Sequence, residues 1–275
     1  MRFGIHLPQY GRASGAEALE RGARQAEALG FDDVWVSDHQ VVPADATYPP
    51  PFLFDPLTSL TWAAACTERI GLGTSILVLP QHDAVSLANT LASLDQLAGG
   101  RVVIGAGVGW LAGEFEALGR GFKDRGRRMD EILEVLQACF RDDPVNYEGR
   151  WHTVRNVRLL PKPARKIPLW IGGMSDAAFR RAVQYGDGFH AIGSNPEEAA
   201  AAVKRLRAER PEPEFTFSLR RGWDGLKVDA SEVSEEIARY AEAGVDHLMA
   251  APTQPTLGGW LDSVEALAAI FEPFR

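Results

Sequence analysis

Cysteine is nearly absent from this chain of 275 residues: Cys66 and Cys139 are the only two, and each falls within a helical pattern. Two cysteines give neither a disulfide framework nor a metal spacing, so a reducing compartment is expected. No apolar run approaches the roughly 20 residues of a membrane-spanning helix. The start, Met1-Arg2-Phe3-Gly4-Ile5, lacks a signal-peptide layout. The expectation is a cytoplasmic protein with no membrane partner. Positive charge is also in short supply, with 29 Lys and Arg against 37 Asp and Glu, a net charge of −8. That argues against a nucleic-acid partner. The longest basic run, Arg125-Gly126-Arg127-Arg128, heads a helical pattern and is expected to be a solvated face.

Several chemistries lack their residues. No lysine ends a strand, which disfavours a Schiff-base aldolase. No His-x-His follows the first strand and no carboxylate cluster accompanies His39, so no metal is expected. A nucleophile elbow is missing, and so are paired acids at opposing strand ends.

What is present is one repeating unit. Short β-rich runs at 2–7, 33–37, 70–78, 101–106, 168–172, 187–192, 215–220 and 245–250 alternate with amphipathic helices. In those helices apolar residues recur at three and four, as in Met129, Ile132, Leu133, Leu136 and Phe140. Helix-to-strand joints carry Gly30, Gly186 and Gly244, each suited to a left-handed helix end. Strand-to-helix joints read Asp55-Pro56 and Asn195-Pro196-Glu197-Glu198, a capping side chain followed by proline at the first helical position. Eight such units predict a parallel sheet covered by helices, closed as a (β/α)8 TIM barrel, with residues 1–275 as a single domain. The irregular stretch 144–167 reads as a hairpin insertion before the fifth barrel strand.

In such barrels chemistry sits where the strands end. The first end supplies His6, Pro8 and Gln9; the second supplies Asp38 and His39, two ionisable groups that help neither a strand nor a core. The third ends in Thr74-Ser75-Ile76, the fourth in Gly105-Ala106-Gly107-Val108-Gly109-Trp110, and the fifth in Gly172-Gly173-Met174-Ser175. Arg220-Arg221 closes the seventh. The glycines let backbone amides approach a phosphate or flat ring, which points to a planar, phosphate-bearing cofactor; either stretch alone also reads as a tight turn. His39 can exchange a proton near neutral pH. His6 lies inside a strand and faces either the pocket or a helix. Trp110 can stack on a ring, whereas Glu114, one turn on, is expected to be a solvated helix acid.

Taken together, Val36-Ser37-Asp38-His39, Glu68 to Ser75, Gly107-Val108-Gly109-Trp110 through Glu114 to Gly119, Ile171 to Ser175 and Gly186-Asp187-Gly188 resemble the luciferase-like monooxygenase superfamily across essentially the whole chain. Within it they lean towards the branch that uses the deazaflavin coenzyme F420. The resemblance implies an F420-dependent oxidoreductase that moves a hydride between the deazaflavin C5 and a small organic substrate. It places His39 near the reactive carbon as the proton-transfer residue. Asp38 would help hold the ring, and Ser75-Ile76 would form a bulge with a cis peptide behind it. Gly107 and Gly109 would line the ring and tail, and Gly172, Gly173, Met174 and Ser175 would meet the phosphate. His6 and Trp110 are expected in the substrate pocket, with Trp151 and His152 of the insertion closing over it. Sugar-phosphate dehydrogenases of this branch carry glutamate where Trp110 stands, so an apolar or aromatic substrate is implied instead. A homodimer follows from the resemblance alone. The alternatives are an FMN-dependent monooxygenase on the same scaffold and a flavin-binding relative without turnover.

Overall fold

A computed structural model describes residues 1–275. The strands and helices alternate as β1 (Arg2–His6), α1 (Ala16–Ala28), β2 (Asp33–Val36), α2 (Pro56–Cys66), β3 (Gly71–Thr74), β4 (Leu77–Val78), α3 (Ala84–Leu97), β5 (Val102–Gly107), α4 (Ala112–Ala117) and α5 (Arg125–Arg141). After a hairpin of β6 (Val145–Glu148) and β7 (Thr153–Val157) come β8 (Leu169–Gly172), α6 (Asp176–Tyr185), β9 (Gly188–Ile192), α7 (Pro196–Arg207), β10 (Thr216–Arg221), α8 (Ala230–Glu242), β11 (His247–Ala250) and α9 (Leu257–Phe271).

All pairings within the main sheet are parallel, and β3 meets β5 to complete the ring. The barrel therefore has eight staves, β1, β2, β3, β5, β8, β9, β10 and β11; the two-residue β4 extends the third beyond a break at Ser75-Ile76. The predicted TIM barrel is the observed fold. The insertion before the fifth stave is the expected antiparallel hairpin.

Most of the apolar burial lies between staves and helices, in one cluster of 62 residues. A second, small cluster of Trp35, Val103, Trp170 and Met249 fills the barrel interior. The interior is unusually polar beside it, with His190, His247 and Ser218 all buried. Buried polar groups cost free energy unless they are paired, and these are paired with one another.

Of the joints, Asp55 and Asn195 cap α2 and α7 as expected, the latter in a full capping box. Gly30 and Gly244 adopt φ of 76° and 85°. Gly186 departs from the expectation. It is extended, with φ −84° and ψ 150°. A Cβ there would lie 2.9 Å from both the Ala182 and Gly188 carbonyl oxygens, so close approach of backbone selects glycine. The basic run is also less solvated than expected: Arg125 donates to the Gly109 carbonyl at 3.1 Å and Arg128 pairs with Asp124 at 2.9 Å. No helix is long and apolar enough to cross a membrane.

Candidate active site

The carboxyl ends of the staves surround a cavity of about 860 Å³. One side of its wall is built from the two loops that follow β1 and β2. Gln9 is fully buried between them: its amide donates to the Ser37 and Phe54 carbonyls at 2.9 and 2.6 Å and its oxygen accepts from the Ser37 amide at 2.7 Å. Tyr10 bridges to Leu53, which brings Tyr48 and Pro50 to the cavity.

His6, Asp38 and His39 all line this cavity. His39 Nδ1 lies 3.2 Å from Glu114 Oε2, and Glu114 Oε1 accepts from the Gln40 amide at 2.7 Å. Glu114 is only 1% exposed, so the expectation of a solvated acid was wrong. Its helix, α4, turns that face onto the end of β2. Burial raises the Glu114 pKa, but the hydrogen bond and charge of His39 and the Gln40 amide outweigh it and hold the carboxyl below its usual range. A carboxylate on Nδ1 fixes the ring and leaves Nε2 available, the arrangement that orients a histidine for proton transfer.

Asp38 is 2% exposed. Its Oδ2 accepts from the Val78 amide at 2.8 Å and from His82 Nε2 at 2.6 Å. Burial lowers the His82 pKa, but Asp38 more than offsets it and the imidazole is held above its ordinary value. Asp38 Oδ1 is buried without any partner. So is Trp260 Nε1, a donor on a residue of the same cavity wall. An unpaired carboxylate oxygen in such a place is costly, and an N–H of a bound heterocycle would satisfy it.

The Ser75-Ile76 peptide is cis, and both residues line the cavity with Gly107, Gly109, Gly172 and Gly173. The glycines make room around Ile76. A Cβ at Gly172 would approach Ile76 Cδ1 to 2.3 Å, and one at Gly107 to 3.0 Å. Gly109 takes φ +76°, which favours glycine outright. Side chains at Gly107 and Gly172 would collide with Ile76, so the backbone lies bare beside the bulge.

Met174 and Ser175 do not join this wall. Ser175 caps α6, accepting from the Ala178 amide at 3.2 Å, and the Met174 side chain is turned outward, 43% exposed. Trp110 lines the cavity at its rim, 57% exposed, edge-on to His39 and stacked on Tyr48 with ring centres 6.4 Å apart. Trp151 and His152 are not on the wall. Glu131 of α5 accepts the backbone amides of Arg150, Trp151 and His152 at 2.8, 2.7 and 2.6 Å and latches the hairpin to the barrel side.

Sequence reasoning did not single out His82 or Ser37, and gave Arg220 no role. His82 sits in Leu79-Pro80-Gln81-His82-Asp83, where Asp83 caps α3, so it too leaves a strand end. Arg220 reaches the cavity floor and donates to Ser37 Oγ at 3.1 Å, the Ser75 carbonyl at 3.0 Å and the Tyr10 hydroxyl at 3.3 Å. His6 Nδ1 must donate to the Leu7 carbonyl at 2.7 Å, so its Nε2 receives the Ser37 hydroxyl at 2.8 Å. Burial, with the Arg220 charge second, holds the His6 pKa far below its usual value and keeps it neutral.

A family model described as luciferase-like monooxygenase matches residues 1–268. The chain belongs to this family. Among its relatives, an uncharacterized protein of Mycobacterium tuberculosis (strain ATCC 25618 / H37Rv) is 30% identical over 235 residues, 78% of this chain and 80% of the relative. An F420-dependent glucose-6-phosphate dehydrogenase of Microbacterium testaceum is 32% identical over 182 residues, 62% of this chain and 52% of the dehydrogenase. Among solved structures, the monooxygenase RslO1 from Streptomyces bottropensis superposes with a TM-score of 0.84 at 20% identity, covering 100% and 99% of the two chains. An F420-dependent secondary alcohol dehydrogenase in complex with an F420–acetone adduct gives 0.81 at 22% identity, covering 98% of each. At those identities the structural likeness establishes the barrel fold. This luciferase-like protein is therefore similar to both monooxygenases and deazaflavin enzymes.

Proposed function

We propose that this luciferase-like protein is a coenzyme F420-dependent oxidoreductase that moves a hydride between the cofactor and a small organic substrate. One observation carries the reading: at one wall of the cavity the His39 imidazole is braced by the buried Glu114 carboxylate, beside the unpartnered Asp38 Oδ1. A bound deazaflavin would supply C5 as a two-electron hydride carrier. Every other element is the chain's own. Asp38, Ser75, Ile76 and the backbone of Gly107, Gly109, Gly172 and Gly173 would hold the ring along the cavity wall. His39 Nε2 would take the proton that leaves a substrate hydroxyl as its hydride departs, or return it in the reverse direction. Trp110 and Tyr48 would wall an apolar or aromatic substrate and exclude water. The relationship to an F420-dependent dehydrogenase supports the cofactor.

The family name supports a second reading, an FMN-dependent monooxygenase with the same cleft. Parallel titrations of the apoprotein with F420 and FMN, followed by fluorescence and native mass spectrometry, separate the two. Tight F420 binding with weak FMN binding is expected. Tight FMN binding without F420 binding would overturn the proposal.

A further inference from the structure

Below the cavity floor a column of buried side chains runs the length of the barrel interior. Ser75 Oγ lies 2.9 Å from His190 Nε2, His190 Nδ1 lies 2.7 Å from Ser218 Oγ, and Ser218 Oγ lies 2.6 Å from His247 Nδ1. His247 Nε2 lies 2.8 Å from Asp33 Oδ1. His190 and His247 are fully buried and Ser75 is 2% exposed. One end of the column, Ser75, lines the cavity; the other, Asp33, sits at the start of β2 beside the exposed Arg2, at the opposite mouth. Only Ser75 of these five residues lines the cavity.

Donor and acceptor counting leaves the column two states. With Asp33 ionised and His247 neutral, His247 Nε2–H donates to Asp33, so Nδ1 accepts from the Ser218 hydroxyl. Ser218 must then accept from His190 Nδ1–H, and His190 Nε2 accepts from the Ser75 hydroxyl. Adding one proton to the Asp33–His247 pair reverses every bond. His247 Nδ1–H then donates to Ser218, Ser218 to His190 Nδ1 and His190 Nε2–H to Ser75, whose own hydroxyl proton turns to the cavity.

We propose that this column is a proton relay joining the cavity floor to the opposite end of the barrel. A proton arriving on Ser75 Oγ displaces the Ser75 proton onto His190 Nε2. The His190 Nδ1 proton passes to Ser218, the Ser218 proton to His247 Nδ1, and the His247 Nε2 proton to Asp33. Five O–H or N–H bonds form and five break, counting that to the proton's donor, and one positive charge crosses without any histidine holding it midway. The inference rests on the proposed hydride chemistry, in which each turnover would release or consume one proton at the cavity that Ser75 lines. The charged or titratable groups in or facing the column are Asp33 of β2, Arg2 of β1, His190 of β9, Arg220 of β10 and His247 of β11; the Trp35 and Trp170 rings pack beside it. Burial, then the charges of His247 and Arg220, press the His190 pKa down to about 3, consistent with a neutral conductor.

The test reads the histidines directly, without cofactor or turnover. Long-range ¹⁵N NMR of the full-length protein across pH 5–9 should show His190 changing tautomer from Nδ1–H to Nε2–H in a single transition shared with His247. Ser218→Ala, which only removes a hydroxyl, should uncouple them. Asp33→Asn should move the shared transition down by at least about one pH unit, because a neutral amide no longer favours the loaded pair. In F420-dependent turnover, Ser218→Ala should cost about tenfold or more with cofactor affinity unchanged. A His190 tautomer that never changes, or that changes alike in wild type and Ser218→Ala, overturns the relay. Failure of F420 to bind would sink the cofactor assignment while leaving the NMR outcome to judge the column.

Discussion

At the scale of single residues, the pair that leaves β2 divides its work. His39 faces the cavity with Glu114 behind it, and Asp38 faces it with one oxygen spare. His39→Ala should lower F420-dependent turnover by about 10²–10⁴-fold while the cofactor dissociation constant, measured by fluorescence titration, stays within twofold. Glu114→Gln should cost less, about 10- to 100-fold by analogy with carboxylates that orient metal-bound histidines, again with binding retained. Equal losses of binding and rate in both variants would assign them to ring attachment instead. Asp38 and His39 were legible in the sequence because ionisable groups at a strand end serve no packing purpose. Glu114 was not, since an acid in a short helix reads as surface until its neighbours are known. His82 escaped for the same reason: its partner Asp38 lies 44 residues away.

At the scale of elements, glycines and one buried carboxylate set the shape of the cavity and its surroundings. Gly172 ends β8 against the Ser75-Ile76 bulge. Gly172→Ala drives a methyl into Ile76, with Cδ1 only 2.3 Å from the new Cβ. Since crowding of this kind typically costs about 1–3 kcal/mol, cofactor affinity should fall roughly 5- to 100-fold in calorimetric titration, and Gly222→Ala, where no atom lies within 4 Å, should leave it unchanged. The hairpin depends on Glu131, whose two oxygens take three consecutive amides and the His152 imidazole. Glu131→Ala strands those donors and should destabilise the chain by about 1–3 kcal/mol. Hydrogen exchange should rise at 145–157 ahead of the barrel staves. The hairpin itself was readable from alternation and turn residues. Its place on the barrel side was not, because Trp151 and His152 look like lid residues until Glu131 is seen to hold their backbone.

At the scale of the whole molecule, the polar barrel interior ties stability to pH. His190 is held neutral down to about 3 when folded, whereas an unfolded histidine titrates near 6.5. Its folded pKa is depressed, so the unfolded state binds the extra proton: the contribution of His190 is full above about 6.5 and is lost as pH drops from there towards 3, by up to about 1.4 kcal/mol per pH unit. His6, also held neutral, pulls in the same direction, and His82, which Asp38 holds above its ordinary value, pulls in the opposite one. Urea unfolding at pH 7.5, 6.0 and 5.0 should show this decline, and His190→Gln should flatten it by about one proton; an unchanged slope would contradict it. Local sequence alone set the barrel, its eight staves, the caps at Asp55 and Asn195 and the list of strand ends that face the mouth, because periodicity, capping and glycine placement act through neighbours a few residues apart. Tertiary structure alone decided which of those ends converge, that Glu114 backs His39, that Ser175 serves α6 in place of the cavity, and that Ser75, His190, Ser218, His247 and Asp33 stand in one file. Ring closure sets residues from distant staves within 3 Å of each other, and no local pattern encodes a meeting between parts of the chain separated by 28 to 214 residues.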